Sequence, residues 1–134
     1  MSLSPQDESA LAQGRAFQWH EVCVPDIDAA IKFYTEALGF GVAELSMGRV
    51  VPYRMLTREG RPVCGIQSTH TPPAEGLPAH WATYLWVDDV DERVDKALEL
   101  GAKLIVPAET VPTVGRMALI QDPQGASIWL FKGE

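Results

Sequence analysis

A strand, an aspartate cap and a helix are written twice in this chain, and that repetition limits the fold more than any other feature. The first copy is Trp19 to Phe40, WHEVCVPDIDAAIKFYTEALGF. Trp19 to Val24 is a β-rich run that Pro25 ends, since proline cannot donate to a sheet ladder. Asp26 is a good N-cap, and Ile27, Ala30, Ile31, Tyr34 and Leu38 recur at helical spacing until Gly39 stops them. The second copy is Trp81 to Gly101, WATYLWVDDVDERVDKALELG. Val24, Asp26 and Asp28 return as Val87, Asp89 and Asp91, each 63 positions on. Val90, Val94, Ala97 and Leu98 form the second stripe, and Asp89 with Glu92 has the spacing of a capping box. Two copies of one supersecondary unit are implied.

The remaining elements complete each copy. After the first helix come strands over 40–45, 50–56 and 62–67, separated by turns at Met47-Gly48 and Arg58-Glu59-Gly60. After the second come strands over 103–106, 115–121 and 126–131. A loop at 107–113 carries two prolines, and Asp122-Pro123-Gln124-Gly125 makes a tight turn. The order is βαβββ, linker, βαβββ, an α+β fold. Module one covers about 17–68, the linker 69–79 and module two about 80–132. Residues 1–15 read as a leader. Each module needs a partner to cover both faces of its sheet.

The totals exclude several classes. A length of 134 residues with 46% hydrophobic and 22% charged residues describes one folded domain. A net charge of −7 disfavours nucleic acid and anionic membranes. No apolar run reaches the ~20 residues of a membrane span. The start lacks the pattern of a signal peptide. Two cysteines, without zinc spacing, point to a reducing, cytoplasmic setting.

Val24-x-Asp26 with Phe33-Tyr34 and Leu38-Gly39-Phe40, then Val87-Asp88-Asp89-Val90-Asp91, then Gly115-Arg116 with Asp122-Pro123-Gln124-Gly125-Ala126, resemble the vicinal oxygen chelate superfamily. That superfamily holds glyoxalase I, bleomycin-resistance proteins, fosfomycin-resistance enzymes and extradiol dioxygenases. Trp19-His20-Glu21, His80-Trp81-x-x-Tyr84 and Pro112-x-x-Gly115-Arg116 resemble the bacterial branch described as related to lactoylglutathione lyase. The resemblance implies paired βαβββ modules whose curved sheets line a cavity, and a homodimer. It does not fix the chemistry, because one fold hosts many functions.

Metal-using members of that superfamily place side chains from the first and fourth strands of each module on one divalent metal. The resemblance puts those positions at Trp19, Ala82 and Trp129, with the remaining one near Cys64. Tryptophan and alanine cannot ligate a metal, so three of the four positions are lost. No cofactor is expected on this ground. His20 and Glu21 become candidate metal ligands only if the strand register is one residue off.

Strand alternation puts Trp19, Glu21 and Cys23 on the cavity face of the first strand. It puts Ala82, Tyr84 and Trp86 there from the fifth strand and Ser127, Trp129 and Phe131 from the last. This is an aromatic bowl with one carboxylate and one phenol, the composition of a small-molecule pocket. The alternative is that the aromatics fill a core. Glu21, among aromatics, would be desolvated and able to act as a general acid or base, or else be neutralised by Arg116 or Arg54. Tyr84 occupies its pseudo-symmetric place, and Arg116 is a further pocket candidate. His70, His80, Cys23 and Cys64 read as surface or filling residues.

Three functions follow as expectations: a metal-independent binder of an aromatic or amphipathic metabolite or antibiotic; a glyoxalase-type lyase or isomerase with Glu21 as base; and a metal-dependent dioxygenase, which the lost ligand positions disfavour.

Overall fold

The computed structural model describes residues 17–46 and 51–134. The expected leader, the Met47-Gly48 turn and the start of the third strand at Val50 lie outside those residues. The elements are β1 (Phe17–Val24), α1 (Ile27–Leu38), β2 (Gly41–Leu45), β3 (Tyr53–Arg58), β4 (Arg61–Ser68), β5 (His80–Trp86), α2 (Val90–Glu99), β6 (Lys103–Val111), β7 (Gly115–Gln121) and β8 (Ser127–Gly133). The fold is α+β. Among the described residues it divides into two compact units, Trp19–Ala82 and Thr83–Glu134, the latter joined by Phe17 and Gln18.

In the first unit the strand order is β2-β3-β4-β1. β1 runs parallel to β4, with Glu21 opposite Gly65 and Cys23 opposite Gln67. β3 is antiparallel to both β2 and β4. α1 begins where Asp26 accepts a hydrogen bond from the Ala29 N–H at 3.0 Å. It ends at Gly39, whose φ of 74° is the left-handed conformation that glycine adopts without strain. No basic residue sits in its last turn, but Arg58 of β3 donates to the Leu38 carbonyl at 2.9 Å. Ile27, Ile31 and Tyr34 pack on Val22, Leu56, Cys64 and Ile66. Leu38, the last residue of the expected stripe, stays half exposed.

In the second unit the order is β5-β8-β7-β6, with β5 parallel to β8. Asp89 accepts from the Glu92 N–H at 3.0 Å. Only that half of the capping box forms, because the Asp89 N–H goes instead to Asp88 Oδ1 at 2.9 Å. Val90, Val94, Ala118, Ile120 and Leu130 make the core, with Ala97 against them. The expected loop at 107–113 is different: β6 continues to Val111. Its register with β7 shifts twice, between Leu104 and Val106 and between Val106 and Glu109. Such bulges let a strand carry Pro107 without a ladder hydrogen bond at that residue. The final strand also takes in Lys132 and Gly133, beyond the expected 126–131.

Candidate functional site

β1 alternates as its sequence requires. Val22 and Val24 join the cluster under α1, so Trp19, Glu21 and Cys23 share the opposite face. Glu21 is only 5% exposed, and burying a carboxylate demands hydrogen bonds. Tyr53, at the start of β3, donates its hydroxyl to Glu21 Oε2 at 2.6 Å. Gln67 of β4 donates its amide to the same oxygen at 3.3 Å. Trp19 Nε1 in turn donates to the Tyr53 hydroxyl at 3.0 Å. The tryptophan at the expected first metal position therefore serves as a hydrogen-bond donor in a chain that ends on Glu21.

The electrostatics of its neighbours follow from burial first and from Glu21 after it. Burial first, and then the charge and hydrogen bond of Glu21, push the Tyr53 phenol well above the usual tyrosine range. The Cys23 thiol is pushed up to about 11, mainly by burial and then by Glu21. Cys64 is raised too, chiefly by burial. The nucleophile is the thiolate, so neither cysteine is primed to react. Both thiols are expected to react at least about ten-fold more slowly with Ellman's reagent at pH 8 in native protein than in denaturant; equal rates would show an open thiol.

Cys64 lies in the cluster under α1. The fourth-strand position facing Glu21 is therefore its neighbour Gly65, which has no side chain. A Cβ there would overlap the Tyr53 hydroxyl. Together with Trp19, Ala82 and Trp129, this set of residues does not suit a divalent metal. Among the described residues no three His, Cys, Asp or Glu side chains group as ligands would.

The second unit repeats the face in aromatic form. Tyr84 stacks on Trp129 with ring centroids 5.2 Å apart and planes 7° from parallel. Phe131 meets Tyr84 edge-on at 6.4 Å and Trp86 edge-on at 5.6 Å. Ile128 and Leu130 alternate with them, toward α2. Ser127 is exposed and Ala82 half-buried.

Arg116 corrects the sequence expectation. It alternates with Met117 and so shares a face with Ala118 and Ile120, under α2. There its Nε and Nη2 hold Asp91 in a two-pronged pair at 2.6 and 2.8 Å, and Nη1 reaches Thr110. Arg54 binds Asp28 and Glu44. The side-chain directions of both arginines follow from strand parity, and neither was fixed by the motif alone. His80 Nδ1 lies 2.8 Å from the Pro78 carbonyl, and His20 and His70 are exposed.

Tyr53 and Gln67 were not anticipated from the sequence. The register of β3 on β4 was needed to find them. The one available signal was Gly65 within an otherwise strand-like run, since a glycine there marks a close approach.

Among the described residues no helix is long and apolar enough to cross a membrane. Proteins similar to this chain include "Putative glyoxylase CFP32" of Mycobacterium tuberculosis, 37% identical over 115 residues, 85% of this chain and 44% of that protein. Anthracycline biosynthesis protein DnrV of Streptomyces peucetius is 27% identical over 125 residues, again 85% of this chain and 46% of that protein. The chain thus spans under half the length of the curated relatives it matches. Among solved structures, methylmalonyl-CoA epimerase from Mycobacterium tuberculosis superposes with a TM-score of 0.58 at 20% identity, over 99% of this chain and 93% of that one; at that identity the likeness is one of fold. The sequence profile of the Glyoxalase/Bleomycin resistance protein/Dioxygenase superfamily matches residues 16–130, nearly all of the chain, and the protein belongs to that superfamily.

Proposed function

We propose that the protein binds a small aromatic or amphipathic molecule, a metabolite or an antibiotic, without a resident metal. The observation that carries this reading is the hydrogen-bonded Trp19–Tyr53–Glu21 chain, which occupies the face where a metal-using relative would need ligands. Within the first module Glu21 is the polar group that orients such a ligand; within the second, taken by itself, Tyr84 has that role beside Trp86, Trp129 and Phe131. Apolar walls with a few placed polar groups are what such ligands need.

Elemental analysis of the purified chain after incubation with Ni, Zn, Mn and Fe(II) is the first test. Less than about a tenth of an equivalent of each is expected; near one equivalent of any metal would overturn the metal-free reading. The second test follows once a ligand is found by screening aromatic metabolites and antibiotics. Glu21→Gln and Tyr84→Phe are each expected to weaken it about ten-fold, the scale of one lost hydrogen bond to a charged or buried group. Unchanged affinity in both would remove these residues from the site.

A second reading is a glyoxalase-type lyase or isomerase in which Glu21 takes and returns a proton. The 37% identity to a protein described as a glyoxylase favours it, and turnover rather than retention of the bound compound distinguishes it. The metal-dependent dioxygenase finds no suitable donor set in Trp19, Gly65, Ala82 and Trp129. The homodimer that the resemblance implies is tested by sedimentation of the full chain.

A further inference from the structure

We infer that Tyr53 is the positioning residue for Glu21, and that Gly65 lacks a side chain so that the Tyr53 hydroxyl can reach it. The inference rests on the reading of Glu21 as the polar group of the ligand site. Tyr53 lies on β3 and Glu21 on β1, with β4 between them. A phenol on β3 reaches a carboxylate on β1 only by crossing the middle strand. The residue of β4 opposite Glu21 is Gly65, and the phenol passes through the volume that any side chain there would fill.

Three donors and acceptors are then in series. The indole N–H of Trp19 points its hydrogen at the phenol oxygen. That leaves the phenol hydrogen directed at Glu21 Oε2, where the Gln67 amide also donates. With two donors on one oxygen, the carboxylate is fixed about its last bond before any ligand arrives. A fixed group has less freedom to lose on binding, so positioning of this kind shows directly in affinity and selectivity. The place that would carry a metal ligand on the fourth strand is thereby taken by a side chain from the third.

The test uses the full chain labelled with carbon-13 at glutamate carboxyl carbons, with Glu21 assigned by its loss in Glu21→Gln. Tyr53→Phe keeps the ring and removes only the hydroxyl. The Glu21 carboxyl signal is expected to move in Tyr53→Phe, and to move in the same direction in Gly65→Ala, which keeps the tyrosine but closes its path. The Tyr53 hydroxyl proton is expected to be protected from exchange in the wild type and to vanish in both. A Glu21 signal unmoved in Tyr53→Phe overturns the proposal, because a ring that only packs would leave it in place. A hydroxyl proton retained in folded Gly65→Ala overturns the part played by Gly65. Should Gly65→Ala fail to fold, the double variant with Tyr53→Ala, whose path across β4 is empty, is expected to fold; its failure would overturn the part played by Gly65. No ligand or metal enters this experiment, so its outcome is separate from metal uptake, which would overturn the metal-free reading, and from unchanged ligand affinity in Glu21→Gln, which would overturn the role of Glu21.

Discussion

Replacing Gly115 with alanine is expected to destabilise the second module by about 3 kcal/mol or more, the combined scale of overpacking and of a side chain forced to positive φ. Gly115 opens β7 at a φ of 149°, and its partner across the ladder is Gly133 of β8. A Cβ there would run into the Lys132 carbonyl oxygen and stand 2.9 Å from the Gly133 Cα. Backbone cannot swing aside as a side-chain tip can. Gly125 is the internal control, at a φ of 99° with nothing within 4 Å of its ideal Cβ. Gly125→Ala carries the conformational cost alone, on the order of 1–3 kcal/mol. Urea denaturation followed by tryptophan fluorescence compares the two, and equal losses would show that the collision contributes nothing.

Truncating Leu56 to alanine is expected to cost about 2–5 kcal/mol, the range for a large apolar side chain removed from a packed core. Leu56 is fully buried, at 0% exposure, in the cluster with Val22, Cys64 and Ile66. The same substitution at Leu45, on the same sheet but 48% exposed, is expected to stay within about 0.5–1 kcal/mol, near the ordinary surface range. The difference in denaturation midpoint between the two variants measures the core contribution of one leucine. A loss under about 1 kcal/mol at Leu56 would mean that the cluster relaxes into the cavity.

Local chemistry carried far in this chain. Asp26 and Asp89 cap helices because a carboxylate before an apolar stripe has free N–H groups to meet, and both do. Alternation assigned Val22 and Val24 to one face of β1, and Ile128 and Leu130 to one face of β8. What parity could not assign was any pair of residues on different strands. Glu21 was visible as a carboxylate among aromatics, yet its donors Tyr53 and Gln67 lie 32 and 46 positions away. Their meeting depends on a register that no local pattern states. Arg116 was misplaced because a motif gives a position but not a direction. The length of β6 was missed because Pro107 looks like a loop residue until a bulge removes its ladder position.

β1 lies in parallel beside β4, and between the last residue of one and the first of the other the chain must build α1, β2 and β3. The partner strand of Glu21 is therefore the last piece of the first module to be synthesised. Until β4 has been made, β1 has no parallel neighbour from its own module, and the carboxylate of Glu21 has no Gln67 beside it. Non-local closure of this kind costs loop entropy before it returns any contact. A ribosome-bound chain halted before Arg61 should hold α1 without a finished sheet, and one extended past Ser68 should close in a single step.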